Sequence, residues 1–156
     1  MKSHFVCAVI WRTILDNGAL GCEFLVVDYR STNPKSGQVS ELQTKFPGGM
    51  NRVDDEPVGV TLQREILEET YLACLPDSKE IWKKEVGEHT KYGFLIGLNN
   101  CRGELRTEVL NDKGDELSPP RWASAVTLGR DLFHGHQGVY LAACREMGVF
   151  FDPFPS

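Results

Sequence analysis

The chain carries no excess of basic charge. Its 17 lysines and arginines are outnumbered by 22 aspartates and glutamates, for a formal net charge of -5. That argues against a nucleic-acid binder of the polycation kind, which carries a basic stripe. An anionic substrate stays admissible if something local reverses the sign. Paired cysteine motifs are also missing. Cys7, Cys22, Cys74, Cys101 and Cys144 are odd in number and scattered, without CxxC or Cys/His spacing. Neither a disulfide framework nor a zinc site is expected, and five thiols in a reducing compartment is the plain reading. Long apolar runs are absent too. The stretch "HFVCAVIW" is broken by Arg12 without a signal-peptide cleavage region, and nothing later is long enough to span a membrane. No membrane association is expected, and the cytoplasm is the default location. No repeat, low-complexity tract or linker divides the 156 residues, so one domain over 1–156 is expected, long enough to bury a core.

What is present alternates between strand and helix signals. "HFVCAVIWRTIL" and "CEFLVVDYR" are rich in β-branched and aromatic residues and flank "DNGALG", which predicts a hairpin over the first thirty residues. A long polar stretch, "STNPKSGQVSELQTK", ends at "FPGG". The spacing predicts a helix over about 56–75, with Pro57 in its first turn and Pro76 beyond its end. "IWKKEVGEH", "KYGFLIGL", a shorter "GELRTEVL" and "RWASAVTL" read as strands, with "NDKGDELSPP" as a loop. A last helix is expected from about His136 to Met147, closed by Gly148. This order predicts an α/β or α+β sandwich with a mixed sheet, not a doubly wound one.

"REILEET" concentrates the chemistry. At 100° per residue Glu65, Glu68 and Glu69 share one narrow arc of the helix. Val60, Leu62, Ile66, Leu67, Ala73 and Cys74 form a broad apolar arc beside it. Three carboxylates on a largely buried helix repel one another and lose hydration, and a hard divalent cation such as Mg²⁺ relieves both costs. Taken alone, such a run is also the ordinary solvated face of a helix.

The surroundings of the run resemble the signature of the Nudix hydrolases, G-x5-E-x7-R-E-U-x-E-E-x-G-U, with U a bulky apolar residue. Glu56 stands eight positions before Arg64, Arg64-Glu65-Ile66-Leu67-Glu68-Glu69 fits without exception, Leu72 fills the last apolar place, and Pro47-Gly48-Gly49 precedes the box. Two departures stand out: six residues separate Gly49 from Glu56, and Tyr71 occupies the place of the box glycine. Tyr71 either accepts a left-handed conformation at about 1 kcal/mol or lets the helix continue towards Pro76.

The resemblance implies an α/β/α sandwich with a mixed sheet and Mg²⁺-dependent hydrolysis (Mn²⁺ as a substitute) of the diphosphate in a nucleoside diphosphate linked to a second moiety. It implies metal ligation by Glu65, Glu68, Glu69 and the Gly49 carbonyl, with Arg64 orienting the glutamates and Glu56 structural. A late-loop carboxylate is implied as well; Glu116 is the candidate, with Asp115 and Asp112 as rivals. From the residues themselves, Arg30, Lys45 and Arg52 are candidates for pairing with phosphate oxygens. Trp11, Tyr29 and Phe46 are candidates for stacking on a base. His134 and His136 suit the start of the last helix better than a metal, for want of further ligands. The expected partner is a small nucleoside diphosphate derivative, with nucleic acid limited to the 5′ end of an RNA. The rival reading is a module on the same fold that senses a nucleotide without cleaving it. The aromatic tail "VFFDPFPS" suits packing on the body or a second subunit, and monomer and homodimer stay open.

Overall fold

The computed structural model describes residues 2–75, 77–112 and 114–150; Pro76, and most of the aromatic tail, lie outside the described residues. The expected hairpin opens the fold: β1 (Ser3–Asp16) and β2 (Ala19–Ser31) pair antiparallel, with Trp11 opposite Phe24. Its turn is only Asn17-Gly18, both at positive φ (49° and 81°), the conformation that matches the twist of two antiparallel strands. β3 (Gln43–Lys45) returns alongside β2, so the long polar stretch ends in a strand, and β4 (Gly48–Met50) pairs with β1.

Helix α1 (Val58–Thr70) comes next, then a short strand β5 (Ala73–Cys74). β6 (Lys79–Val86) and β7 (His89–Gly97) form a second hairpin, and β7 runs parallel to β1, which makes the sheet mixed. Strand β8 (Cys101–Arg102) pairs with β5 in a separate two-stranded ladder. The hairpin β9 (Leu110–Asp112) and β10 (Asp115–Leu117) extends the far edge of β2. Strand β11 (Arg121–Ser124) also pairs with β2, and α2 (Gln137–Met147) ends at Gly148, at φ 67°.

The central strands are apolar on both faces because each face has its own helix. Val6, Ala8 and Ile10 of β1 pack with Leu62 and Ile66 of α1, while Cys7 and Val9 pack with Val139, Tyr140 and Ala143 of α2. Alternation along one strand therefore supplies two cores, and the three layers follow. Among the described residues no helix is long and apolar enough to cross a membrane.

Four expectations are corrected. α1 stops at Thr70, because Tyr71 takes the left-handed conformation (φ 69°, ψ 11°) and donates its N–H to the Leu67 carbonyl. A tyrosine thus supplies a left-handed helix stop of the kind glycine more often makes. The buried stripe of α1 is Thr61, Leu62, Ile66 and Thr70, whereas Val60 and Leu67 are exposed. The two threonines stay inside because each is bonded: Thr61 to His4 and Glu56, Thr70 to the Ile66 carbonyl. "GELRTEVL" is irregular from Gly103 to Val109, since Arg106 buries its guanidinium against main-chain carbonyls there. Finally, "NDKGDELSPP" is not a plain loop but holds most of the β9–β10 hairpin.

Candidate active site

The Gly48-Gly49 pair sets the floor of the site. β4 lies so close to β1 that a Cβ on Gly48 would stand 1.9 Å from the Val6 carbonyl oxygen. A Cβ on Gly49 would stand 2.4 Å from the carboxyl carbon of Glu65. Gly48 admits no side chain, one at Gly49 would displace the Glu65 carboxylate, and the absence of both lets α1 bring its acidic face onto the strand. The Gly48 N–H then donates to the Glu69 carboxylate at 2.8 Å.

Arg64 is the hub of the helix wall. Its guanidinium donates to Glu56 (2.6 Å), to Glu65 (2.8 Å) and to the Met50 carbonyl (3.0 Å), and stands 3.6 Å from Glu68. The i,i+4 contact with Glu68 is thus the longest of these, and Arg64 orients mainly Glu65. Hydrogen bonds from Arg64 and then Thr61 hold Glu56 below the usual carboxylate range. His4 completes the chain: its Nε2 lies 2.6 Å from the Thr61 hydroxyl, which donates to Glu56 at 2.6 Å. Glu56 is therefore a structural anchor for Arg64, as expected.

The helix carboxylates that line the cleft are pushed the other way. Burial raises Glu65, against the opposing pull of Arg64. Burial also pushes Glu69 up to about 8, opposed by the Gly48 N–H and reinforced by the charge of Glu65. Acids crowded at such a cost would be relieved by a bound cation. Behind Glu69, the buried Arg106 donates from Nε to the Glu69 carbonyl (2.9 Å), from one guanidinium nitrogen to Leu117 (3.3 Å) and from the other to Ser118 (2.7 Å), with a further bond to the Glu108 carbonyl. It joins the helix to the opposite wall.

That wall is the β9–β10 hairpin with Tyr29. A cleft of about 260 Å³ is lined by Glu65, Glu68 and Glu69 on one side and by Tyr29, Leu110, Asp112, Asp115 and Leu117 on the other. Strand parity decides which acids face it. Leu117 stands opposite Tyr29 and Asp115 opposite Ser31, whereas Glu116 stands opposite Arg30. Glu116 and Arg30 are both exposed and line none of the cleft. The structure thus does not bring Glu116 or Arg30 to the helix glutamates; Asp115 and Asp112 take the place expected of Glu116.

Of the other expected cations, Arg52 donates to Glu68 at 2.6 Å, so it sits at the acidic cluster but is engaged by it. Lys45 is sandwiched, its ammonium 4.3 Å from the Tyr29 ring and 4.7 Å from the Phe133 ring. Burial lowers its pKa, while Glu69 and Asp115 act to raise it. Lys45 also borders a second, more apolar cavity of about 150 Å³, walled by Phe5, Trp82, Tyr92 and Phe133 with Lys91 at its edge. Lys45 thus lines the aromatic cavity while lying over Tyr29 of the acidic cleft.

Among the aromatics expected to stack on a base, Tyr29 lines the cleft; Phe46 is core and stacks on His136, and Trp11 lies against Gly97. His136 is buried at the start of α2, and burial lowers its pKa to about 3. Its Nδ1 accepts from the Phe46 N–H (3.1 Å), which leaves Nε2 protonated and 3.3 Å from the Cys7 sulfur. Its role is structural. Arg106 was not singled out from the sequence. A lone arginine between Leu105 and Thr107, in "ELRTEV", carries no periodic signal of burial.

The donor set is all oxygen, which suits Mg²⁺. Among the described residues no three acids converge into a ready cage. Mg²⁺ does not require one, since it keeps several waters and takes one or two carboxylates beside substrate phosphates.

No family model matches the sequence, and no curated protein matches it either. Solved structures do match. A mutT/nudix family protein from Listeria innocua is 15% identical, covers 94% of each chain and superposes with a TM-score of 0.62. A MutT structure from work on Aliivibrio salmonicida and Vibrio cholerae is 14% identical over 92% of this chain and 98% of its own, with a TM-score of 0.61. The mutator MutT protein of Bacillus halodurans is 13% identical over 89% and 80%, with a TM-score of 0.56. At such identities the likeness is one of fold, and the fold is that of the Nudix proteins.

Proposed function

We propose that this chain, on a Nudix fold, hydrolyses the diphosphate linkage of a nucleoside diphosphate bonded to a second moiety, in a divalent-metal-dependent reaction. The observation that carries the reading is the facing of Glu65, Glu68 and Glu69 by Asp112 and Asp115 across one cleft. Mg²⁺ or Mn²⁺, held by Glu65, Glu68, Glu69 and the Gly49 carbonyl, would neutralise the diphosphate and lower the pKa of the attacking water.

The chain's own groups do the rest. Arg64 fixes the Glu65 carboxylate, with Glu56 and Met50 holding Arg64 in turn. The Gly48 N–H holds Glu69. Asp115 faces the helix acids from a separate element and is the proposed acceptor of the water's proton, in place of Glu116. Lys45, between Tyr29 and Phe133, is placed to meet an anionic oxygen where the acidic cleft gives way to aromatic walls. The aromatic cavity beyond it suits a planar base. Arg52 must release Glu68 before that carboxylate takes a cation, and could then pair with phosphate. We place the activity in a single cytoplasmic domain.

The pairing of Glu68 with Arg52 is also what favours the second reading, a nucleotide sensor without turnover. One experiment separates them. The chain is incubated with nucleoside triphosphates, nucleotide sugars, dinucleoside polyphosphates and a 5′-capped RNA, with Mg²⁺ or with chelator, and phosphate is counted after phosphatase treatment, or after pyrophosphatase treatment for the triphosphates. Metal-dependent release from one class supports hydrolysis. Saturable binding with no release across the panel supports the sensor.

A further inference from the structure

β5 and β8 form an antiparallel ladder apart from the main sheet, with Ala73 opposite Arg102 and Cys74 opposite Cys101. Directly opposed residues in such a ladder share a face, with Cα atoms about 4.5–5.5 Å apart, inside the window for a disulfide. The two sulfurs lie 2.7 Å from each other. Both cysteines are free and partly exposed, so a small oxidant can reach them. Cys7 and Cys144 are buried in the core under α2, and Cys22 packs on that same core. Cys74 and Cys101 pack instead against the core under α1, on the other face of the sheet. No third cysteine competes for either partner.

We propose that Cys74 and Cys101 are a redox modification site, closing reversibly into an intramolecular disulfide that fastens the C-terminal end of α1 to the segment leading to Arg106. The seam they span is already hydrogen-bonded: the Leu75 N–H donates to Asn100 (2.8 Å), and the Arg106 N–H to Thr70 (3.0 Å). The covalent link would hold together the same strip that carries the Arg106–Glu69 bond.

The oxidant is a peroxide. The hydrogen bond between the two thiols lowers the Cys101 pKa and raises that of Cys74, so Cys101 is the first thiolate. Its sulfur attacks one peroxide oxygen; the O–O bond breaks, and the departing hydroxide takes a proton to leave as water. The Cys74 sulfur then attacks the resulting sulfenic sulfur, the S–O bond breaks, and the hydroxyl departs with the Cys74 proton as a second water. Two thiols are oxidised to one disulfide and one peroxide is reduced to two waters. An added dithiol reverses the step by exchange.

This inference stands on strand register and is independent of whether the chain cleaves nucleotides. The test treats the folded full chain with a small excess of hydrogen peroxide, blocks remaining thiols, and maps peptides by mass spectrometry. Two of the five thiols should disappear into a 74–101 cross-link, and dithiothreitol should restore both. The melting temperature of the oxidised form should rise by about 5 °C. In Cys74→Ser, dimedone should trap a sulfenic acid on Cys101, whereas Cys101→Ser should react at least about tenfold more slowly. Five unchanged thiols at peroxide levels that oxidise a free reference thiol would overturn the proposal, as would a cross-link through Cys22. A 74–101 cross-link without a rise in melting temperature would overturn the fastening.

Discussion

The two walls of the cleft are built by different rules. On the helix wall, three acids reach one face through steps of three and four residues, and Arg64, Gly48 and Gly49 hold that face against β4. On the strand wall, a one-residue shift sends a side chain to the other side of the sheet. Asp115 faces the helix glutamates while its neighbour Glu116 stands opposite Arg30, outside the cleft. A helix tolerates small errors in an assignment; a strand inverts it.

The sharpest break of the comparison is at the helix wall. Glu69→Gln keeps the acceptor for the Gly48 N–H but removes the charge, and should cut turnover by at least about a hundredfold. Circular dichroism should report an unchanged fold, and phosphate release under saturating Mg²⁺ checks the rate. Full activity in this variant would remove the metal assignment from the helix.

Next comes the contact that lets the wall close. Gly49→Ala places a methyl group within 2.4 Å of the Glu65 carboxyl carbon, so one of the two must move. A displacement of that order near the chemistry should cost on the order of a hundredfold in kcat/KM. The melting temperature should fall as well, because β4 loses its fit.

The strand wall gives the intermediate effect, and it tests parity directly. Asp115→Asn should lower kcat by about tenfold or more with little change in KM, and Glu116→Gln should stay within about twofold of wild type. Steady-state kinetics on the pair decides it. The reverse order would mean that β10 presents its other face during turnover.

These contrasts also show what was legible beforehand. The common arc of Glu65, Glu68 and Glu69 could be read from helical spacing, and so could the hairpin whose Asn17-Gly18 turn carries a short-range signal. The stop of α1 could not, because Tyr71 leaves the αL choice to tertiary context; here its hydroxyl bonds Glu108. Parity at Asp115 and Glu116 was hidden because three-residue strands are too short to display an alternation. Arg106 was hidden for a related reason, since its partners are carbonyls that any residue could supply.

The smallest expected effect lies at that helix stop. Tyr71→Gly should leave the rate nearly unchanged, since the acids precede it. Stability should rise by about 1 kcal/mol or less, as relief of the left-handed tyrosine is offset by loss of the Glu108 bond. Denaturant unfolding measures the change; activity appearing only in the glycine variant would favour the sensor.

The bonding of Arg106 has a consequence for how this chain can drift. Its guanidinium binds the main-chain oxygens of Glu69, Glu108, Leu117 and Ser118. Those four bonds survive almost any side-chain substitution at the last three positions, whereas lysine at 106 cannot span them with one ammonium. Descendants of this sequence can therefore rewrite the hairpin that forms the strand wall while keeping it docked to the helix wall. A change of substrate needs new residues on one side of the cleft and no new joint between its sides.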